Sequence, residues 1–362
     1  MRVLAEGTGG AHGWPEPGCR CASCRRRTAD GSARQASAIV VDGTLRLAAG
    51  EAEPAAPGYL VRRLPDARGA AGAGGVGGWD VTAPDGGRLL YPAGPGAVPV
   101  PPEGAEPYDL AFLDLLGEPA QLGLLRARGL VTSDTVTAIA FADHRVPSDA
   151  ELRERCAFWN AGVPADGEAV TNARSGKKVL SGPWRVLVLG GARSGKSERA
   201  ELRLAGEPDV TYVAAGARGP DPDPDPDWGA RVAAHRARRP AWWRTAETTD
   251  VAGVLAAADG ALLVDGIGTW LAAVLGECGA WDDADGWTER LAGRTGQLVA
   301  AWRQTGAHVV AVSDEAGLGV VPATPAGRLF RDELGRLNQR LAAESDEAEL
   351  VVAGRSLPLT RG

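Results

Sequence analysis

Eight consecutive residues constrain the fold of this chain more than any other feature of its sequence. They match the pattern G-x-x-x-x-G-K-[ST], and in order they are Gly190, Gly191, Ala192, Arg193, Ser194, Gly195, Lys196 and Ser197. The mainly apolar residues 185–189 before them predict a buried strand, and the residues from about Lys196 onward predict a helix. A strand, a glycine-rich turn and a helix in this order predict a P-loop, whose backbone N–H groups point at bound phosphate.

The residue types within this loop indicate separate tasks. We expect Lys196 to offset charge on the β- and γ-phosphates of a nucleotide, and Ser197 to bind Mg²⁺. Asp265 ends the apolar run Ala261–Asp265, and in a P-loop fold such a carboxylate faces the magnesium ion, usually through water. A chance match in a chain with 50 glycines is the alternative for the loop, and a solvated strand end is the alternative for Asp265.

The residues after the loop alternate between short apolar runs and longer amphipathic ones. Four strands are predicted, at residues 185–189, 210–214, 261–265 and 308–313. Helices are predicted at residues 228–237, 251–257, 270–275, 287–304 and 325–343. This alternation predicts an α/β domain of the P-loop NTPase class, with a RecA-like, mostly parallel sheet covered by helices on both faces.

A chain of 362 residues exceeds what one hydrophobic core usually organises, so we expect two domains. A polar, glycine-bearing stretch separates them and predicts a first domain at residues 1–170, a linker at 171–183 and the P-loop domain at 184–362. Residues 174–178 echo the P-loop but have no preceding strand, so we assign them to the linker. Residues 37–41 and 44–47 predict strands, and residues 149–160 predict a helix, in an α+β first domain.

Charge and hydropathy exclude two classes of partner. The formal net charge is −7, and no basic stripe is present to neutralise the phosphates of a nucleic acid. The first residues lack the apolar core of a signal peptide, and no apolar run is long enough to span a bilayer. We therefore expect a cytoplasmic protein with no nucleic-acid partner and no membrane span.

An arginine-rich segment carries a histidine with unusual neighbours. On a helix, Arg231, His235 and Arg239 are four residues apart and share one face. Their guanidinium groups would bind a triphosphate and disfavour the imidazolium form, which leaves His235 neutral and nucleophilic. Attack of this imidazole on an α-phosphate would form a phosphoramidate and expel pyrophosphate. A surface histidine on an arginine-rich helix is the alternative, and the segment by itself favours it.

Residues 185–360 resemble the bifunctional adenosylcobinamide kinase and adenosylcobinamide-phosphate guanylyltransferase family. Six stretches carry the resemblance in family order, namely LGGARSGKS at 189–197, HRARRP at 235–240, WRTAE at 243–247, VDG at 264–266, VSDEAGLGVVP at 312–322 and RLFRDELGRLNQRLA at 328–342. The resemblance implies a kinase that uses ATP or GTP to phosphorylate adenosylcobinamide. It also implies transfer of GMP from GTP to the resulting phosphate, which gives adenosylcobinamide-GDP in adenosylcobalamin biosynthesis.

The same resemblance assigns roles to individual positions. His235 lies where the family carries its GMP-bearing histidine. It would therefore be a second catalytic residue beside Lys196. Further positions would contact the nucleotide, and they are Ala215, Gly216, Ala217, Arg236, Ala237, Arg238, Arg239, Glu247 and Asp265. Family members usually have a hydroxyl-bearing residue at 215–217, and this chain has none, so contacts there would come from the backbone. Glu315 would orient the corrinoid, and the family is trimeric as a rule, so we expect a homo-oligomer.

The N-terminal half resembles a degenerate metallo-β-lactamase-fold phosphodiesterase. Gly7-Thr8-Gly9 and the cysteine cluster that follows resemble the opening of that fold, and residues 142–145 and 165–167 resemble its closing segment. Active enzymes need an H-x-H-x-D-H cluster for two metals, whereas this chain has four histidines and no such cluster. A metal-dependent phosphodiesterase is therefore a disfavoured alternative function.

A structural zinc site is the feature of that fold which can survive here. Cys19, Cys21 and Cys24 have C-x-C-x-x-C spacing, which leaves one position of a zinc tetrahedron open. His144 matches the residue that completes such a site in the relatives. Reduced free cysteines are the alternative.

For the C-terminal half, the alternative function is a P-loop corrinoid kinase without guanylyltransferase activity.

Overall fold

The computed structural model describes residues 1–50, 54–68, 75–171, 183–216, 236 and 238–359. The chain divides into two compact units, one of Met1–Val179 with Ala205–Pro208 and the other of Leu180–Leu204 with Asp209–Gly362. Residues 172–182, which include the P-loop-like segment assigned to the linker, lie outside the described residues. Within the described part of the chain, no helix is both long and apolar enough to cross a membrane.

The first unit contains nine strands and three helices among its described residues. The strands are β1 (Arg2–Gly7), β2 (Ala38–Val41), β3 (Leu45–Ala48), β4 (Leu60–Pro65), β5 (Val76–Thr82), β6 (Arg88–Pro92), β7 (Leu110–Leu113), β8 (Val136–Ile139) and β9 (Glu168–Thr171). The helices are α1 (Ala22–Ala29), α2 (Ala120–Ala127) and α3 (Asp149–Phe158). Thr171, the first residue of the predicted linker, is the last residue of β9 and pairs with Arg2.

Two sheets form the core of this unit. One has the order β3-β2-β1-β9 and is antiparallel, and the other has the order β4-β5-β6-β7-β8, with β6, β7 and β8 parallel to one another. Alternate residues of β3 are buried, so that Leu45 and Leu47 face the core while Arg46 is exposed. Side chains from both sheets share one apolar cluster. The unit therefore has the α+β composition that the sequence predicted.

The second unit contains the P-loop and alternates strands with helices. The strands are β10 (Trp184–Gly190), β11 (Val210–Ala215), β12 (Arg244–Thr248), β13 (Ala261–Asp265), β14 (His308–Asp314), β15 (Glu347–Val352) and β16 (Arg355–Pro358). The helices are α4 (Lys196–Leu204), α5 (Val251–Ala256), α6 (Ile267–Glu277), α7 (Trp287–Gln304) and α8 (Pro325–Ala343). The predicted helix at 228–237 lies outside the described residues, except for Arg236.

The sheet of this unit has the order β12-β11-β13-β14-β10-β15-β16. All neighbouring strands are parallel except β15 and β16, which form an antiparallel hairpin at one edge. Val186 and Val188 of β10 pack in the apolar cluster that contains α4, whereas Leu187 and Leu189 pack in the cluster that contains α5 to α8. The predicted mostly parallel sheet with helices on both faces is confirmed.

Three strands of this sheet are missing from the sequence-based prediction. β12 is an edge strand with a mainly polar sequence, RTAET, which lacks the apolar run expected of a strand in a parallel sheet. β15 carries Glu347 and Glu349 among its apolar residues. Glu349 is buried because the guanidinium groups of Arg199 and Arg203 on α4 bind it, at 3.1 and 2.9 Å. The acidic residues that obscure this strand are therefore satisfied by partners distant in sequence.

Candidate functional site

The carboxyl ends of the parallel strands bring most of the predicted site residues to one edge of the sheet. In the strand register, Gly190 at the end of β10 pairs with Asp314 at the end of β14. Ala214 on β11 pairs with Asp265 on one side and with Glu247 on the other. Ligands of open α/β sheets bind at this carboxyl edge. The structure thus places the P-loop, Asp265 and Glu247 on the edge where a nucleotide is expected.

The backbone of the P-loop is held in a conformation that depends on its glycines. Gly195 has a φ of +96°, and Arg193 also lies in the left-handed region with a φ of +57°. A Cβ atom on Gly190 would lie 2.7 Å from the carbonyl oxygen of Val351, so a side chain is excluded there. The Oγ atom of Ser194 is buried inside the loop without a hydrogen-bond partner among the described residues. A buried hydroxyl without a partner fits a loop that binds a phosphate group.

The β15–β16 hairpin supports the loop from the opposite side. Its turn contains Ala353 and Gly354, both with positive φ, and the Gly354 N–H donates to the carbonyl oxygen of Ser194 at 2.7 Å. A Cβ atom on Gly195 would lie 3.3 Å from the Cα atom of Gly354. The loop is therefore packed between its own strand and a turn of the C-terminal hairpin.

Lys196 contacts a carboxylate that the sequence analysis did not assign to the site. Its Nζ atom lies 2.9 Å from Oδ1 of Asp314 and donates to the carbonyl oxygen of Gly191 at 3.2 Å. The ammonium group is thus held over the loop, where a P-loop lysine meets phosphate. The sequence signal for Asp314 was the same as for Asp265, an acid at the end of an apolar strand.

Asp314 is fixed by the elements around it. The Nδ2 atom of Asn338 on α8 donates to the Asp314 carbonyl oxygen at 3.0 Å, and Asn338 Oδ1 accepts from the buried hydroxyl of Ser313 at 2.6 Å. Oδ2 of Asp314 lies 2.9 Å from the position that a Cβ atom on Gly268 would occupy at the start of α6. The buried amide of Asn338 therefore joins α8 to the end of β14.

Glu315, which was expected to orient the corrinoid, has a different environment from its neighbour. Its backbone N–H donates to the carbonyl oxygen of Gly190 at 3.1 Å, which joins the turn to the P-loop. Its side-chain Oε1 accepts from the N–H of Gly317 at 3.0 Å. The carboxylate is thus engaged by its own turn, whereas the carboxylate of Asp314 contacts Lys196.

Asp265 belongs to a second polar cluster on β11, β13 and α4. The hydroxyl of Tyr212 donates to Oδ2 of Asp265 at 2.6 Å. Burial raises the pKa of Tyr212, and the neighbouring Asp265 carboxylate raises it further. Glu201 on α4 follows Ser197 by one helical turn, so the two side chains share a face of this helix. Burial raises the pKa of Glu201, an effect to which Asp265 adds and which Arg238 opposes.

The described arginines of the arginine-rich segment bind acidic or aromatic groups of this cluster. Arg238 binds Glu201 at 3.1 Å, and Arg236 binds Glu247 at 2.9 Å. The guanidinium group of Arg239 stacks on the ring of Tyr212 at 3.6 Å from its centroid. The predicted site residues Ala217, His235 and Ala237 lie outside the described residues, as does Arg231.

Thr269 at the start of α6 leaves no room for a side chain at Gly216, the residue that follows β11. A Cβ atom on Gly216 would lie 2.8 Å from Cγ2 of Thr269 on α6. The N–H of Gly216 donates to the carbonyl oxygen of Thr248 at 3.3 Å. Ala215 is buried at the end of its strand. Any contact of Gly216 with a ligand would therefore come from its backbone groups.

The three cysteines and the histidine of the first unit form a compact cluster. The ligand atoms of Cys19, Cys21, Cys24 and His144 all lie within 4.8 Å of one another. Cys21 caps the N-terminus of α1, where the N–H of Cys24 donates to its sulfur at 3.4 Å and lowers the pKa of the Cys21 thiol. Glu16 Oε2 lies 3.3 Å from His144 Nδ1, and such a carboxylate commonly orients a metal-binding imidazole. These groups fit the donor set of a tetrahedral zinc site.

The C-terminal half of the chain is similar to known proteins. The family model described as "Cobinamide kinase / cobinamide phosphate guanyltransferase" matches residues 186–359. The "Bifunctional adenosylcobalamin biosynthesis protein CobU" of Salmonella typhimurium is 40% identical over 178 residues, which cover 96% of that protein and 47% of this chain. The "Bifunctional adenosylcobalamin biosynthesis protein CobP" of Pseudomonas aeruginosa is 41% identical over 181 residues, again 96% of that protein and 48% of this chain.

Two further proteins are similar to parts of this chain. The protein CobU of Escherichia coli is 36% identical over 178 residues, which cover 96% of its length and 47% of this chain. A solved ATPase of a bacterial type III secretion system has 12% identity and a TM-score of 0.31, and it covers 48% of this chain and 56% of its own. That last likeness is too weak to support an argument. The matches to nearly complete relatives show that the chain belongs, through its C-terminal half, to the cobinamide kinase / cobinamide phosphate guanyltransferase family.

Proposed function

We propose that the C-terminal half catalyses two consecutive steps of adenosylcobalamin biosynthesis. It phosphorylates adenosylcobinamide with ATP or GTP, and it then transfers GMP from GTP to adenosylcobinamide phosphate. The observation that carries the proposal is a P-loop, with Lys196 held over it by Gly191 and Asp314, inside a region that aligns with nearly the whole of three bifunctional relatives. The product of the first reaction is the acceptor of the second, so one chain can catalyse both reactions in succession.

In the kinase step the loop binds and orients the phosphates of the donor. Backbone N–H groups of residues 190–197 surround the β-phosphate, and Lys196 offsets the charge that develops during transfer. Ser197 and Asp265 would hold Mg²⁺, which would offset phosphate charge when bound. Ser197 lies at the start of α4 and Asp265 at the carboxyl end of β13, which supports this assignment.

In the guanylyltransferase step His235 attacks the α-phosphate of GTP. A neutral imidazole nitrogen forms the bond to phosphorus, pyrophosphate leaves, and the GMP is then passed to the corrinoid phosphate. Arg236 to Arg239, Glu247 and the backbone of residues 215–217 would contact the nucleotide during this step. The described arginines are held at the sheet edge by Glu247, Glu201 and Tyr212, which supports a role at the same site.

A P-loop corrinoid kinase without guanylyltransferase activity is the second candidate. The two are separated by incubating the purified full chain with α-³²P-GTP, followed by a denaturing gel and acid treatment. We expect acid-labile label on the wild-type chain, loss of label in His235→Ala, and retained phosphorylation of adenosylcobinamide in that variant. Lys196→Ala should lose the phosphorylation. An unlabelled wild-type chain with intact corrinoid phosphorylation would favour the kinase alone, and label that persists in His235→Ala would refute the assigned nucleophile.

For the N-terminal half we propose a degenerate metallo-β-lactamase-like domain that keeps a structural zinc ion. Cys19, Cys21, Cys24 and His144 would hold the ion, and their closeness to one another supports this. Metal analysis of the purified chain should give one zinc per chain, and Cys21→Ser should lose it. Cys278→Ser, a buried cysteine of the other unit, serves as the control and should keep the metal. Absence of stoichiometric zinc in the wild-type chain would refute the site.

The remaining proposals concern the environment and assembly of the chain. We propose that it acts in the cytoplasm as a homo-oligomer, a trimer by resemblance to its family, with small-molecule corrinoids and no nucleic acid as partners. Light scattering of the full chain, whose mass is 37.3 kDa, would test the assembly. A mass equal to that of one chain at all concentrations would contradict the trimer.

A further inference from the structure

We infer that Asp314 is the catalytic base of the kinase step, the group that accepts the proton of the corrinoid hydroxyl. This inference rests on the proposed function and names the residue that activates the acceptor. The Asp314 carboxylate lies 2.9 Å from the ammonium group of Lys196. Since that ammonium binds the β- and γ-phosphates of the donor, the carboxylate lies next to the phosphoryl group that is transferred.

Access by a second substrate distinguishes Asp314 from its partner. The Lys196 side chain is 15% exposed, whereas the Asp314 side chain is 44% exposed. The exposed side of Asp314 allows an acceptor hydroxyl to approach the carboxylate while the lysine stays covered.

Contacts with neighbouring elements fix the backbone of Asp314, and the ion pair with Lys196 holds its carboxylate. The pairing of Asp314 with Gly190 sets its backbone beside the first residue of the P-loop. Asn338 binds its carbonyl oxygen, and Gly268 leaves the space into which Oδ2 extends. A general base must be held within hydrogen-bond reach of the proton that it accepts, and these contacts provide that restraint.

The other carboxylates of this edge are engaged in different ways. Asp265 accepts from Tyr212, Glu201 binds Arg238, and Glu315 accepts from the backbone of its own turn. Among the described residues, Asp314 is the carboxylate in direct contact with Lys196. This contact singles it out for chemistry at the transferred phosphoryl group.

Phosphorylation of the corrinoid forms one bond to phosphorus and breaks another. The hydroxyl oxygen of adenosylcobinamide forms a bond to the γ-phosphorus of ATP, and its proton moves to the Asp314 carboxylate. The bond between the γ-phosphorus and the oxygen that bridges to the β-phosphate breaks, and ADP leaves with that electron pair. Asp314 then returns its proton to solvent. Attack of the neutral His235 imidazole on GTP requires no such base, because no hydroxyl is deprotonated.

This difference gives a test with two readouts on the full chain. In Asp314→Asn, we expect kcat for phosphorylation of adenosylcobinamide to fall by about 10²- to 10⁴-fold, the range typical of a general base. The KM for ATP and the labelling by α-³²P-GTP without corrinoid should stay near wild-type values. Asp259→Asn, a change in an exposed loop, is the matched control.

The outcomes separate this inference from the proposed function. Loss of both phosphorylation and labelling in Asp314→Asn would mean that the residue only positions Lys196, and would overturn the inference. Normal phosphorylation in that variant, or a selective loss in Glu315→Gln in its place, would overturn it as well. A wild-type chain that phosphorylates no corrinoid would overturn the proposed function itself, and the inference with it.

Discussion

At the scale of single residues, the space beside Asp314 is as informative as its contacts. Gly268 is the second residue of α6, a position where most side chains would be compatible with a helix. Here a Cβ atom would lie 2.9 Å from the Asp314 carboxylate, with Phe330 and Leu334 at 3.6 and 3.7 Å on its other sides. The glycine therefore preserves room for a carboxylate rather than a special backbone conformation.

A methyl group at this position should damage the reaction without damaging the fold. In Gly268→Ala, the Asp314 side chain can rotate away from the added methyl group, and alanine suits a helix better than glycine by about 1 kcal/mol. We expect an unchanged or higher thermal midpoint together with a lower kcat for corrinoid phosphorylation. Parallel thermal melts and initial-rate assays would measure both. Gly335→Ala, a helical glycine of α8 with open space around it, is the control and should keep full kcat.

At the scale of secondary-structure elements, the P-loop helix is joined to the sheet by a buried ionic network. Arg199 and Arg203, one turn apart on α4, both bind Glu349 of β15, and the three side chains are 8%, 7% and 4% exposed. Burial by itself would raise the pKa of Glu349, but Arg203 and Arg199 outweigh it and hold the pKa below its usual range. The network keeps the helix that follows the loop beside the edge of the sheet.

Removing the charge of Glu349 should therefore destabilise this unit in a pH-dependent way. Glu349→Gln removes the buried carboxylate that Arg199 and Arg203 share, while Arg203 keeps its contact with Glu347 at 2.7 Å. Breaking a buried ion pair in this way costs about 3–5 kcal/mol. Because the folded-state pKa is lowered, the stabilisation is present at pH values above the ordinary pKa of glutamate and is lost as the pH falls through the folded-state value. Urea unfolding should show a large difference between wild type and variant at neutral pH and a smaller one in acid.

A surface ion pair provides the comparison for this measurement. Glu344 binds Arg303 at 2.7 Å, with the arginine 52% exposed. Exposed pairs of this kind contribute less than about 1 kcal/mol, so Glu344→Gln should unfold nearly as the wild type does. Equal destabilisation by both substitutions would contradict the role given to the buried network.

The same elements show where prediction from the sequence succeeds and where it stops. The strand before the P-loop was recognisable because it is buried on both faces and almost continuously apolar. β15 was missed because Glu349 is acceptable in a strand only once Arg199 and Arg203 are opposite it. Asp314 went unassigned for the same reason, since its contact with Lys196 exists only after β10 and β14 pair. Local patterns predict elements, whereas contacts between distant elements select the site.

At the scale of the whole molecule, the division of labour between the two units can be tested directly. The relatives align over 178–181 residues that cover 96% of their own length, and these residues correspond to the C-terminal half of this chain. We therefore expect a fragment of residues 184–362 to fold, to phosphorylate adenosylcobinamide and to become labelled by α-³²P-GTP. The fragment lacks the cysteine cluster and should bind no stoichiometric zinc. Rate assays of fragment and full chain, side by side, would measure any contribution of the N-terminal half.

A fragment that folds but has lost phosphorylation would contradict this expectation and would assign the N-terminal half a part in the reaction. Circular dichroism of the fragment would separate that result from a failure to fold. The sequence predicted two domains separated by a linker, but that division alone cannot say which of them is sufficient for activity. The extent of the alignment to complete relatives supplies that argument.

The turn of the β15–β16 hairpin has a practical consequence for observing this enzyme at work. Since the Gly354 N–H binds the carbonyl of Ser194, the outer edge of the sheet is in direct contact with the P-loop. Val352 and Leu357 beside this turn are more than half exposed and accept changes more readily than the loop does. An environment-sensitive fluorophore attached at one of them would sense rearrangement of the P-loop from outside the binding site. Nucleotide arrival could then be timed optically in a protein whose catalytic residues are all intact.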